Sequence, residues 1–200
     1  MKLLDVISYM GIFVFAITGA LKAKAHRMDI FGATVLAFVT AYGGGTTRDL
    51  LIGTRPVNWI NDYFALSLVV SAVIIVAFVN PNFTKFRRTI FITDAIGLGM
   101  FTAAGIEVSL LHDVNNTYAV VMGMITGTFG GFIADVLSNT VPDLLKRSEL
   151  YATASLAGGI VYVTIQSFNA SHNAALISCV VIIVIVRIIS KLKRLMLPEI

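Results

Sequence analysis

Asp49 and Asp135 stand 86 residues apart, each four residues after a glycine, and each inside a stretch otherwise apolar enough to cross a membrane. The first belongs to Gly43-Gly44-Gly45-Thr46-Thr47-Arg48-Asp49, the second to Thr126-Gly127-Thr128-Phe129-Gly130-Gly131-Phe132-Ile133-Ala134-Asp135. Carboxylates attract cations, and carbonyls released from a helix can replace a cation's hydration water. Three consecutive glycines weaken a helix by roughly 1 kcal/mol each relative to alanine. A charge facing lipid costs on the order of a few kcal/mol. Such a combination persists only where loosened backbone and charge face protein or water. The chemistry indicated is cation passage along a polar seam, with a carboxylate toward each end and flexible glycine breaks between.

Thr46, Thr47 and Thr128 are further candidates to line the seam, as are Ser138 and Asn139, three and four residues past Asp135. Arg48 has Ala134 as its counterpart and so breaks the pattern. It has four readings: a partner for Asp49, a cap for freed carbonyls, a movable positive barrier, or a side chain snorkelling to the surface. The competing account of the glycines is packing, because Gly123, Gly127 and Gly131 form a row of small residues that lets helices approach closely. Packing explains the glycines but not the paired aspartates. No Cys, His and carboxylate cluster has metal-binding spacing, and no nucleophile–base set or phosphate loop is present, so neither an enzyme nor a cofactor is expected.

Apolar runs of about 20 residues mark the elements that must position these groups. Of the 200 residues, 57% are hydrophobic and 13% charged, with a mean hydropathy of +0.87, which describes an all-α polytopic membrane protein. Seven spans are predicted, at 3–21, 30–52, 63–79, 90–111, 118–137, 150–168 and 174–189. Asn80-Pro81-Asn82 is expected to end the third. At the 86-residue offset Gly11 matches Gly97, Phe15 matches Phe101, Gly19 matches Gly105, His26 matches His112, Thr40 matches Thr126, and Pro56 matches Pro142, all without a gap. The single membrane domain therefore reads as repeat one at 3–80, repeat two at 89–168, and an unrepeated seventh helix at 172–190. A repeat of three spans must enter the membrane inverted the second time, an architecture of transporters and channels with the working site where the copies meet.

Charge supports the odd count. Of the 15 Lys and Arg residues, only Lys2, Arg48 and Arg55 fall on the side of the N-terminus. The positive-inside rule then places the N-terminus outside and the C-terminus in the cytoplasm. The net charge of +4 is explained by this topology rather than by nucleic acid. Arg187, Lys191, Lys193 and Arg194 read as a cytoplasmic basic surface that meets anionic lipid. Trp59 and Tyr63 fit interfacial anchors, and Cys179 reads as a small core residue.

The run 43–49, its echo at Gly130, Gly131 and Asp135, the three-plus-three-plus-one span count and the length together resemble the prokaryotic members of the TRIC (trimeric intracellular cation) channel family, whose bacterial sequences also carry the label of a glycine-transporter-type domain. The resemblance covers nearly the whole chain. It implies a homotrimer in the prokaryotic inner membrane, a pore within each protomer, and helices two and five kinked at their glycines. It implies potassium, or another monovalent cation such as sodium, as the permeant species. Gly43, Gly44, Gly45, Arg48, Asp49, Gly130, Gly131 and Asp135 become the pore candidates. A secondary carrier of a small solute such as glycine is the rival reading.

Overall fold

The computed structural model describes residues 2–78, 83–146, 149–168 and 170–198, so the Asn80-Pro81-Asn82 stop lies outside the described residues. Seven helices follow one another: α1 (Leu3–Ala25), α2 (Ile30–Ile52), α3 (Tyr63–Phe78), α4 (Phe83–Leu111), α5 (Asn116–Leu137), α6 (Ala152–Ser167) and α7 (His172–Lys193). No strand occurs among the described residues. Five of the helices, α1, α2, α4, α5 and α7, are long and apolar enough to cross a membrane. The other two, α3 and α6, have 16 residues each, about 24 Å at 1.5 Å per residue, against a hydrocarbon core of about 30 Å. The protein is a polytopic membrane protein.

Local signals repeat with the sequence offset. The Asp29 carboxylate accepts from the Gly32 amide at the start of α2, and Asn115, 86 residues on, accepts from the Tyr118 amide at the start of α5. Each cap satisfies an amide that the first helical turn leaves without a partner. At the other ends, Gly53 and Asn139 both take positive φ, at 79° and 52°, in the left-handed conformation that closes a helix C-terminus. The Thr54 amide then donates to the Asp49 carbonyl and the Thr140 amide to the Asp135 carbonyl. Positive φ recurs likewise at Arg27 and Asp113, in the turns that follow α1 and α4.

Packing has the same form in both halves. Helix α1 packs on α2 and α3 as α4 packs on α5 and α6, and α1 meets α4 while α2 meets α5 across the centre. At the centre, Phe15 and Phe101 meet edge to face with ring centroids 4.9 Å apart. Gly97 lies under Phe15 as Gly11 lies under Phe101, leaving the rings room that a methyl group would fill. Helix α7 stands outside this arrangement, against α4 and α6. Buried Leu176, Cys179 and Ile183 join it to the core of the second half, with Cys179 fully buried.

Helices α2 and α5 run unbroken through their glycines, which corrects the expectation of breaks there. The reason is tertiary. A Cβ on Gly44 would collide with the Thr126 carbonyl oxygen, and a Cβ on Gly130 would collide with the Thr40 carbonyl oxygen. The two contacts are reciprocal and run in opposite chain directions, so α2 and α5 cross antiparallel with their backbones touching. Close packing outweighs the weak helical preference of glycine.

Candidate functional site

The α2/α5 crossing divides the site into two ends. At the crossing, Thr40 and Thr126 are buried, and their hydroxyls donate to Leu36 and Met122 carbonyls of their own helices, both at 2.6 Å. The aspartates lie on either side. Each is about seven residues past the crossing along an antiparallel pair, which separates them by roughly 20 Å at 1.5 Å per residue.

The Asp49 carboxylate is 1% exposed. Its Oδ1 accepts from Arg48 Nη2 at 2.6 Å and Nε at 3.0 Å, and its Oδ2 accepts from the Asn58 backbone amide at 2.9 Å. Of the four readings of Arg48, the structure selects the partner for Asp49. Adjacent helical residues diverge, but the arginine is long enough to fold back on its neighbour. A cavity of about 240 Å³ opens beside the pair. Gly45, Arg48 and Asp49 line it, with Tyr9, Tyr42, Trp59, Asp5 and Asp62, and it reaches Phe101 and Thr126 at the centre of the molecule.

The Asp135 carboxylate is held in the same way by different residues. Oδ1 accepts from Lys22 Nζ at 2.6 Å and Oδ2 from the Asp143 backbone amide at 2.9 Å. The cation comes from α1, not from the neighbouring residue. The counterparts are Ala134 for Arg48 and Val108 for Lys22, so the halves share the carboxylate and the loop amide but draw the positive charge from different elements.

Behind this end lies a second buried polar cluster. Arg187 of α7 donates from Nη2 to Asp94 Oδ2 of α4 at 3.0 Å and from Nη1 to the Leu150 carbonyl at 3.2 Å. Its guanidinium stacks 4.7 Å from the Phe91 ring centroid and 4.8 Å from that of Tyr151. The Tyr151 hydroxyl donates to Asp94 Oδ1 at 3.3 Å and also covers Gly131. The surface placement of Arg187 is thereby corrected: it is 6% exposed, drawn inward because Asp94 is buried in α4 and needs a cation. Lys193 and Arg194 are exposed, and Lys191 Nζ lies 3.5 Å from the Phe91 ring centroid.

The remaining candidates separate. Thr46 accepts a hydrogen bond from Trp59 Nε1 at 2.9 Å, and Thr47 and Thr128 donate to the Gly43 and Met124 carbonyls of their own helices. None of the three lines the cavity. Gly43 packs against Ile133 and Gly130. Ser138 and Asn139 do not extend the face of Asp135, because α5 ends at Leu137 and the backbone turns left-handed at Asn139. Among the described residues no group of three or more His, Cys, Asp and Glu could hold a metal ion. Lys22, Asp94 and Tyr151 were not singled out by sequence. Asp94 did carry a signal, since an acidic residue inside an apolar span is itself a candidate functional group; Lys22 and Tyr151 have no counterpart that would have drawn notice.

Residues 5–80 and 91–167 match the glycine transporter family model, one block in each half of the chain. A UPF0126 membrane protein of Vibrio cholerae is 40% identical over 94% of this chain and 78% of its own length. The UPF0126 inner membrane protein YadS of Escherichia coli is 38% identical over 94% and 91%. Among solved structures, one described as revealing conductance through TRIC cation channels superposes with a TM-score of 0.88 at 35% identity, covering 100% of this chain and 98% of its own. The TRIC trimeric intracellular cation channel orthologue of Rhodobacter sphaeroides superposes with a TM-score of 0.89 at 32% identity, covering 98% and 100%.

Proposed function

The chain belongs to the glycine transporter family, whose solved relatives above are TRIC cation channels, and from that premise we propose that it conducts monovalent cations, potassium foremost, along the seam between α2 and α5 within a single protomer. The observation that carries this is the cavity beside Asp49, which extends from one end of the molecule to Thr126 at the crossing. Beyond the crossing, Asp135 offers a second carboxylate. Between the two carboxylates the route is shut by the backbone contact at Gly44 and Gly130, and each carboxylate is neutralised by a protein cation. This is a non-conducting arrangement. Conduction requires α2 and α5 to part at the crossing and the two side-chain cations to release the carboxylates to ions.

The resting assembly in this reading is a homotrimer with three independent routes, set in a bacterial inner membrane. The N-terminus lies outside and the C-terminus in the cytoplasm. Asp49 then faces the outer side and Asp135 the inner side. Its solved relatives are channels rather than enzymes, which favours transport over catalysis.

A carrier of a small zwitterion such as glycine is the second reading, and one observation favours it: Arg48 and the carboxylates of Asp5 and Asp62 line one small cavity. Recordings of purified protein in planar bilayers separate the two. Unitary current steps that reverse near the potassium equilibrium potential support the channel. Electrically silent protein that takes up labelled glycine saturably into liposomes replaces it with the carrier.

A further inference from the structure

Where α4 and α6 end and α7 begins, the fold gathers polar groups that the α2/α5 seam does not use. Glu107 stands near the end of α4 with its side chain 13% exposed, and its Oε2 is buried without a hydrogen-bond partner. Its Oε1 faces Nδ1 of His172, the first residue of α7, at 3.4 Å. Gln166 of α6 approaches the same ring nitrogen, with Nε2 2.9 Å from Nδ1, and Nε2 also donates to the buried Tyr162 hydroxyl at 3.0 Å. An amide nitrogen only donates, so the imidazole meets it through the Nδ1 lone pair. A lone pair and a carboxylate then face each other with no proton between them. Buried polar atoms are nearly always paired, and two facing acceptors, one of them orphaned at its far oxygen, are paired by a cation.

We propose that Glu107, His172 and Gln166 form a site for a divalent transition metal of the zinc class, on the face that is outermost in the orientation proposed above. An imidazole nitrogen beside carboxylate oxygen suits zinc, nickel or copper, whereas calcium and magnesium take oxygen ligands. Two donors that share a metal at about 2.0–2.1 Å lie about 2.8–3.4 Å from each other, and both spacings around Nδ1 fall in that range. Turning the Gln166 amide about its last torsion exchanges nitrogen for oxygen and supplies a third donor. The Tyr162 hydroxyl can give or accept a proton, so it stays bonded to Gln166 either way. Water completes the coordination, because the His172 side chain is 70% exposed. With one imidazole, one carboxylate and an amide oxygen, the site has fewer strong ligands than the four of structural zinc centres. The metal is therefore exchangeable, tying α4, α6 and α7 together only while the ion is present.

The full-length protein, freed of any affinity tag, is titrated in detergent at neutral pH with zinc(II) against a chromogenic zinc indicator. Saturable binding of a single ion per chain, in the micromolar range, is the expected result. His172→Gln changes an exposed position and should weaken binding at least several-fold, and Glu107→Gln, which keeps the side chain's shape, should do the same. The other histidines of the chain are His26 and His112, and His26→Gln and His112→Gln should bind like the native protein. Calcium should not displace the zinc. Absence of saturable binding, or binding unchanged in His172→Gln, overturns the proposal. An equal loss in His26→Gln or His112→Gln also overturns it, by moving the site to another histidine. Displacement by calcium at a concentration comparable to that of zinc overturns it as well, by reassigning the site to carboxylates alone. Binding is read without current, so a silent bilayer would sink the channel reading and leave this site standing.

Discussion

Lys22 of α1 places its ammonium nitrogen 2.6 Å from Asp135 Oδ1 of α5, with the side chains 13% and 8% exposed. The pair joins helices that are neighbours neither in sequence nor in the main packing of either half. At the opposite end the equivalent carboxylate, Asp49, takes its cation from the next residue of its own helix. The two ends of the proposed route are therefore closed by devices of different mobility. Arg48 has to swing only its own side chain. Releasing Lys22 disturbs the α1–α5 relation, and the acidic groups that act on Lys22 besides Asp135 are Asp94, which Arg187 already holds, and Asp143.

Lys22→Met should leave Asp135 buried without a cation. Removing one member of a buried pair costs roughly 3–5 kcal/mol, largely because the remaining charge loses its partner. The single variant should melt well below the native protein. Lys22→Met combined with Asp135→Asn should recover most of the loss, because neither charge then remains. A double variant no more stable than the single one would show that the pair contributes nothing specific. In bilayers the single variant should open more often, since the carboxylate is freed for ions.

Gly44 and Gly45 are adjacent, equally poor helix formers, and differently placed. A methyl group at Gly44 collides with the Thr126 carbonyl, whereas the nearest group to one at Gly45 is Arg48 Nη2 at 3.8 Å. Gly44→Ala should thus destabilise by about 1–3 kcal/mol, the usual range for overpacking, and Gly130→Ala likewise against the Thr40 carbonyl. Gly45→Ala should be neutral or stabilising by up to about 1 kcal/mol. Thermal melting of the three variants checks the ordering. Equal effects at Gly44 and Gly45 would return the glycines to the role of helix breakers.

These contrasts show which parts of the molecule could be read from the chain. The seven helices and the two three-helix units were legible because apolar length and an ungapped repeat are one-dimensional signals. Three glycines in a row signal a weak helix, yet in the fold Gly44 serves close helix packing. Helix propensity is local, whereas the carbonyl of Thr126 that occupies the space above Gly44 is 82 residues away in sequence. Asp49 and Asp135 stand out in the sequence because they repeat. Lys22, Tyr151 and the inward placement of Arg187 were not found, because a residue outside the repeat shows its partner only after folding. In the sequence Arg187 is one more cation of a basic tail, because its partner Asp94 is 93 residues away.

Arg187→Met should cost roughly 3–5 kcal/mol, as Asp94 would be left buried and charged. Arg187→Lys should recover only part of that, because a compact ammonium on one nitrogen lacks the planar fork that serves Asp94 and the Leu150 carbonyl from two separate nitrogens, and it cannot stack on Tyr151 as a guanidinium does. Asp94→Asn together with Arg187→Met should melt nearer the native protein than either single change. If Arg187→Met melts like the native protein, the cluster at α7 is an accessory and not the tie that holds the unrepeated helix.

The proposed orientation is open to a direct test because the one native thiol is silent. Cys179 is fully buried, so a membrane-impermeant maleimide should leave the native protein in intact cells unlabelled. Lys2→Cys and Arg194→Cys place new thiols at exposed positions beside either end of the helical bundle. With seven crossings the two ends lie on opposite sides. Lys2→Cys should label in intact cells, and Arg194→Cys only after the membrane is opened. Labelling of both from outside would require an even number of crossings. The first helices to lose their transmembrane assignment would then be α3 and α6, which at 16 residues are the two shortest. The reverse pattern would keep the fold, turn the protein over, and put the Asp49 cavity on the cytoplasmic side.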